Sequence, residues 1–448
     1  MRILLVNPPR SPANAIYDHA PAEVQRFIHR KLIGPPLGLL VLATAVQGEH
    51  DVSLLELKGE ADLDPQAPPP AELLQRALTS ERPDLVGVTF IASEHPAGMA
   101  LLRQVRRFDP GILTVAGGLH AMLCPADFDD PAVDVVYVNQ TAGAFRRLCQ
   151  AHEARRPLDE VGGLLLRSER GLQPTAAPMP ECDLLAADAP GVDRAFVARW
   201  RGTYRAPPTA PLGTYVFTSL GCPYRCTFCS IWPQTGGAYL QRDVESIVRE
   251  LHTLEDDLEV VRFADANTLV DAGFAERLFD RIEAEGIRKS FVMDVRADTA
   301  ALAPGLIRRL ARAGLRVVIT GFESFREHEL RGYDKKLAAD RIAEAVRVFH
   351  DNGIVVRGNY VIPPDYGDED FAALGEFAAG HSVALSGYTI LTPMPGTVLY
   401  RQRHAEIVDH DLGKYNFFNC VLRPKLPLEK FYQRVGELWR IRLGDTVL

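Results

Sequence analysis

At 448 residues, 47% hydrophobic and 24% charged, the chain has the composition of a globular protein and is too long for one ordinary core. Its formal charge of −8 excludes a general nucleic-acid binder, and no apolar run reaches membrane-spanning length. The apolar start is cut short by Pro8-Pro9, so no secretory leader is expected, and seven cysteines, three of them clustered, suit a reducing cytoplasm better than a disulfide framework.

The first 150 residues alternate between two patterns. Apolar runs at 2–6, 52–57, 84–90, 112–116 and 133–138 predict strands. Segments at 37–47, 71–78 and 96–107 predict helices between them. This alternation predicts an α/β domain built on a doubly wound parallel sheet, whose ligands bind at the carboxyl ends of the strands. Residues 151–210 are Pro-rich with weak periodicity and read as a linker containing a small strand pair near 162–167.

A second series begins at Thr214. Strands are predicted at 214–219, 259–263, 290–295, 315–320, 355–362 and 387–391, with helices at 244–254, 272–285, 306–313 and 338–352. Six βα units over 211–394 predict a partial (β/α)6 barrel, with its chemistry where the strands end. The mixed tail, 395–448, carries an amphipathic helix at 428–442.

Cys222-Pro-Tyr-Arg-Cys226-Thr-Phe-Cys229 follows the first strand of that second series. A [4Fe–4S] cluster normally takes four thiolates, so three leave one iron open to a substrate. Zinc would need a fourth ligand at comparable spacing, and the next histidine, His252, falls in an apolar helix pattern. Cys124, Cys149, Cys182 and Cys420 are dispersed and read as buried small hydrophobes.

The Cys-x3-Cys-x2-Cys spacing after a barrel strand resembles the radical S-adenosylmethionine (SAM) superfamily. The resemblance implies a [4Fe–4S] cluster on Cys222, Cys226 and Cys229, with SAM on the open iron as the source of a 5′-deoxyadenosyl radical. Further segments match. Phe263-Ala-Asp265-Ala-Asn267 resembles the Phe-x-Asp segment that meets the SAM amino group, which implicates Asp265 and Asn267. Arg296 stands where the family frequently has an arginine, and its planar fork suits the SAM carboxylate. Gly321-Phe-Glu323-Ser324 resembles a Gly-x-Glu-Ser segment whose acid, Glu323, would meet the ribose or orient a neighbour.

Asn7-Pro8-Pro9, Pro35-Pro-Leu-Gly-Leu-Leu40, Pro83-Asp-Leu-Val-Gly87 and Gly117-Gly118-Leu-His120 resemble the cobalamin-binding domain that precedes the barrel in one large subgroup. On that basis Asn7, Pro8, Gly117 and Gly118 would line a cobalamin site. The loop 7–15 lacks the histidine that many cobalamin proteins place on cobalt, and Ser93-x-His95-x-x-Gly98 imitates that motif after the third strand, making His95 a candidate ligand. Asn139-Gln-Thr-Ala-Gly143 replaces an acidic segment usual after the fifth strand.

The subgroup implies a cobalamin-dependent methyltransferase acting on an unactivated carbon of a small-molecule, lipid or peptide substrate. A flavodoxin- or ferredoxin-type electron donor would serve it, and no nucleic acid would be involved. The alternatives are cyclisation or rearrangement with the same cofactors, and a first domain kept only as a scaffold. Substrate determinants would lie in the linker, the strand-end loops and the tail, including Tyr388, Tyr400, Tyr415, Phe417, Phe418 and Trp439.

Overall fold

Leu4 and Val6 face one apolar layer, Ile3 and Leu5 another, so the first strand is covered on both sides. The computed structural model describes residues 1–25, 28, 34–186, 189, 191–205, 211–381, 383 and 385–441. In it the chain divides into two units, 1–11 with 31–205, and 12–30 with 206–448.

The first unit holds β1 (Arg2–Asn7), β2 (Asp51–Glu56), β3 (Leu85–Thr89), β4 (Leu113–Gly117), β5 (Val135–Tyr137), β6 (Leu164–Ser168) and β7 (Gly171–Pro174). They form one sheet in the order β2-β1-β3-β4-β5-β6-β7. The first five strands are parallel. β6 and β7 are antiparallel additions at the β5 edge. The sheet and its crossover helices follow from the alternating pattern. The hairpin is the strand pair expected near 162–167, but it joins the sheet edge instead of lying in a linker, and a 3-10 helix, Arg194–Thr203, follows it. Val197, Trp200 and Tyr204 pack there with Leu40, so the unit runs to 205 rather than stopping at 150.

The second unit holds β8 (Gly213–Val216), β9 (Ser219–Gly221), β10 (Tyr239–Gln241), β11 (Val260–Phe263), β12 (Ser290–Asp294), β13 (Leu315–Glu323), β14 (Val355–Ile362) and β15 (Leu385–Ile390). β8 and β11–β15 make a six-stranded parallel sheet in chain order. β9 and β10 pair separately as an antiparallel ribbon. The expected strand at 214–219 is therefore two strands. One face of the large sheet is apolar and joins the main core through Val216, Phe263, Phe291, Met293, Val356 and Tyr388. Alternate residues, among them Arg262, Asp294 and Arg357, are half-buried on the other face, and Arg262 pairs with Asp294 at 2.8 Å.

Residues 12–30 were expected within the first domain. They pack instead in the second unit. Asn14 caps the helix Ala15–His19 by accepting from the Tyr17 N–H at 3.0 Å. Ile16, Ala20 and Val24 then enter the barrel core. Asn416 Nδ2 donates to the Ala13 carbonyl at 2.6 Å, and Asn419 Oδ1 accepts from the Ala15 N–H at 3.0 Å. His19 stacks on Tyr432 of the helix Leu428–Leu438. That helix ends at Leu438 with Trp439 as its C-cap, short of the expected end, and residue 442 lies outside the described residues. Tyr388, Tyr415 and Trp439 are core residues, whereas Phe417 is exposed. No described helix is long and apolar enough to cross a membrane.

Candidate active site

The loop carrying the three cysteines leaves the β9–β10 ribbon at Gly221, whose φ is +78°. A Cβ there would lie 2.2 Å from the Ala238 carbonyl, so only glycine fits. Upstream, Asp265 fixes the chain between β8 and β9. Its carboxylate accepts from the N–H groups of Thr218 and Ser219 at 2.8 and 3.0 Å, and from the Thr218 hydroxyl. Burial pushes the Asp265 carboxyl above the ordinary range, against the pull of these bonds. Downstream, the Thr227 N–H donates to the Tyr333 carbonyl at 2.9 Å, and the Thr227 carbonyl accepts from the Leu399 N–H at 2.8 Å. Phe228 meets the Tyr333 ring edge-on and packs with Leu391 and Leu399. Loops after β13 and β15 thus hold the cysteine segment in place.

Cys226 is buried, and Cys222 and Cys229 are half-buried. Burial pushes the Cys229 thiol up to about 11. It also raises Cys226, while Lys335 and Arg296 pull the other way. Binding iron therefore has to displace protons from these sulfurs.

Arg296, at the end of β12, is buried with its guanidinium 3.8 Å over the Tyr224 ring. Its Nε and Nη2 donate to Asp298, and Nη2 also donates to the Lys335 carbonyl at 2.8 Å. Glu323, at φ +62°, accepts from Lys335 Nζ at 2.8 Å, with both residues buried. Asp334 and Lys336, on either side of Lys335, also have positive φ. The sequence did not single out Lys335; its importance comes from Glu323, twelve residues away. Arg296 and Glu323 are thus already engaged by protein partners.

Asn267 differs. It is 2% exposed, yet both its Oδ1 and Nδ2 lack a hydrogen-bond partner. A buried amide with neither end satisfied is costly, and its position after β11 is where the barrel's chemistry belongs. This orphaned amide and the three-thiol loop fit a cluster with a polar ligand on its open iron.

In the first unit the expected residues separate. Asn7 Nδ2 donates to Glu56 Oε2 at 2.6 Å, inside a buried network that the sequence did not reveal. Glu56 Oε1 accepts from the N–H groups of Lys58 and Gly59, and Lys58 Nζ meets Glu94 Oε1 at 2.6 Å. Pro8 is buried. Gly118, at φ +91°, lets β4 approach the loop after β3, since a Cβ would lie 2.5 Å from Thr89 Oγ1 and 2.7 Å from the Phe90 nitrogen. At Gly117 a Cβ would meet nothing closer than Tyr137 Cβ at 3.6 Å. Protein packing does not demand glycine there, which fits close approach by a flat ligand at the strand ends. His95 Nε2 lies 3.0 Å from the Asp127 carbonyl, and its ring packs edgewise on His120 and Phe128.

Family models match both units. Residues 26–149 match the B12 binding domain, and residues 216–378 match the radical SAM superfamily. The hopanoid C-3 methylase of Methylococcus capsulatus is 24% identical over 409 residues, covering 90% of this chain and 75% of that protein. An anaerobic magnesium-protoporphyrin IX monomethyl ester cyclase of Cereibacter sphaeroides is 25% identical over 376 residues, covering 79% and 58%. Among solved structures, the radical SAM methyltransferase TsrM of Kitasatospora setae, with cobalamin and a [4Fe–4S] cluster bound, superposes with a TM-score of 0.70 at 19% identity, covering 97% of this chain and 84% of that one.

Proposed function

For a chain that joins a B12-binding domain to a radical SAM domain, and so belongs with the cobalamin-dependent radical SAM enzymes, we propose methyl transfer to an unactivated carbon of a small molecule. The observation that carries this reading is the three-thiol loop together with an unsatisfied buried amide after β11. When bound, the cluster, SAM and cobalamin supply one-electron hydrogen abstraction and a transferable methyl group. Cys222, Cys226 and Cys229 would hold the cluster. Asn267 offers a donor and an acceptor to the polar end of SAM.

Asp265 positions the cysteine loop through Thr218 and Ser219 rather than contacting SAM. Arg296 orders the same loop through Tyr224 and fixes the Lys335 backbone. Lys335 anchors Glu323 and brings positive charge to Cys226, which favours an anionic cluster. The apolar group Phe228, Tyr333, Leu391 and Leu399 keeps water from the back of the loop. In the first unit, Gly117 provides the open edge for a corrin. Asn7, Pro8 and Gly118 shape the strand ends, and His95, the candidate cobalt ligand, engages the Asp127 carbonyl through Nε2. A flavodoxin- or ferredoxin-type donor in the cytoplasm would supply the electron, and lipid or peptide substrates remain within the chemistry.

Cyclisation with the same cofactors is the second reading, favoured by the resemblance to the cyclase. The test is anaerobic purification, reconstitution with iron, sulfide and a corrin, and mass analysis of products with the Cys226→Ala variant in parallel. Methyl transfer predicts a product one methylene heavier and no deoxyadenosine from the variant. A product two hydrogens lighter would establish cyclisation instead. Failure to retain any corrin would reduce the first unit to a scaffold and defeat both readings.

A further inference from the structure

The segment after β4, in the first unit, gathers three metal-ligating side chains. His120 and Cys124 stand four residues apart on and just beyond the helix Leu119–Leu123, where the Cys124 N–H donates to the His120 carbonyl at 2.8 Å. That spacing places both side chains on one face. The following 3-10 turn, Pro125–Phe128, brings Asp127 to the same face. The imidazole nitrogen, the thiol sulfur and the carboxylate oxygen lie within 4.8 Å of one another. We propose that His120, Cys124 and Asp127 form a second metal site, of the divalent zinc class, in the B12-binding domain.

Two observations carry it beyond proximity. His120 is 2% exposed, and its Nε2 stands 2.9 Å from Asp127 Oδ2, so a buried imidazole nitrogen faces the carboxylate inside the trio. The surroundings also fix the ligands. Phe128 and His95 pack edgewise on the His120 ring, and His95 Nε2 engages the Asp127 carbonyl at 3.0 Å, which holds the turn carrying Asp127. A sulfur with one imidazole and one carboxylate selects zinc or a similar borderline ion over calcium or magnesium, which take oxygen shells. Three protein ligands leave the fourth position to water. Cys124 is only half-buried, so its expected role as a core hydrophobe is replaced by that of a ligand.

The test uses the full-length holoenzyme, reconstituted so that iron occupies the three cluster thiolates, then equilibrated with zinc chloride and desalted. The expected result is about one zinc per chain, with X-ray absorption showing a single sulfur at about 2.3 Å among nitrogen and oxygen ligands. Cys124→Ser and His120→Ala each lower zinc retention about ten-fold or more while iron content stays at the wild-type level. Asp127→Asn, at an exposed side chain, lowers it too without disturbing the fold. A wild-type protein that retains no zinc, a three-sulfur shell, or undiminished zinc in Cys124→Ser would each overturn the proposal. Because iron content is read separately, its failure is distinguishable from failure of the cluster assignment.

Discussion

Asp265 separates two accounts of the same residue. If it contacted SAM, its loss would weaken SAM binding and leave the apoprotein intact. The structure instead has it accept from two consecutive backbone N–H groups and one hydroxyl, with Thr218 and Ser219 almost fully buried. In Asp265→Ala both N–H groups lose their partner at about 1–3 kcal/mol each, or roughly 2–6 kcal/mol together. Removing a carboxylate that burial itself disfavours returns part of that, so about 3 kcal/mol is expected. Asp265→Asn keeps one acceptor oxygen and should lie midway. The assay is urea unfolding of the anaerobic full-length protein together with its iron-to-protein ratio. Asp265→Ala should show a lower midpoint and lose most of its iron, because the cysteine loop is no longer held at its upstream end. Wild-type stability and iron content with weakened SAM binding alone would refute the reasoning.

Asn267→Ala should leave the SAM-free midpoint unchanged or higher, since it removes an unsatisfied amide, while isothermal titration shows SAM affinity falling about ten-fold, equivalent to about 1.4 kcal/mol. Lys335→Met leaves the Glu323 carboxylate buried and unpaired, at about 3–5 kcal/mol in unfolding experiments. Pairing it with Glu323→Gln should recover most of that, and a redox titration should show the cluster potential of the double variant more negative than wild type. An unshifted potential would remove Lys335 from the cluster's electrostatics. Gly118→Ala should destabilise the first unit by more than about 1 kcal/mol, because a positive φ and a clash with Phe90 coincide. Gly117→Ala should keep the wild-type melting temperature yet retain less corrin, and the reverse order for the two glycines would contradict their assignment.

What could be read from the chain was whatever local periodicity or spacing encodes. Buried parallel strands are apolar throughout, so β1 and β3 stand where the pattern placed them, β14 stands where alternating residues placed it, and the three cysteines declare themselves within eight residues. The β6–β7 hairpin was partly visible, but its attachment to the β5 edge depends on pairing with Val135–Tyr137, which no local pattern records. Lys335 and Glu323 acquire meaning only from each other, through a backbone at positive φ that sequence does not display. Asp265 and Arg296 were legible as residues, but the motif identifies the position and not the hydrogen bonds each makes within the protein. His120 lay within a recognised glycine segment, but only the turn at 125–128 brings Asp127 to it.

The early stretch 12–30, packed with the closing helix, makes both units discontinuous in sequence. The bond from Asn416 to the Ala13 carbonyl spans 403 positions. During synthesis the helix Ala15–His19 emerges long before Tyr432, and must wait with Ile16 uncovered while the intervening sheet completes. A cut between residues 205 and 206 therefore leaves 12–30 of the second unit on the fragment that carries the first, and the second unit is complete only when the tail comes back to the beginning of the chain.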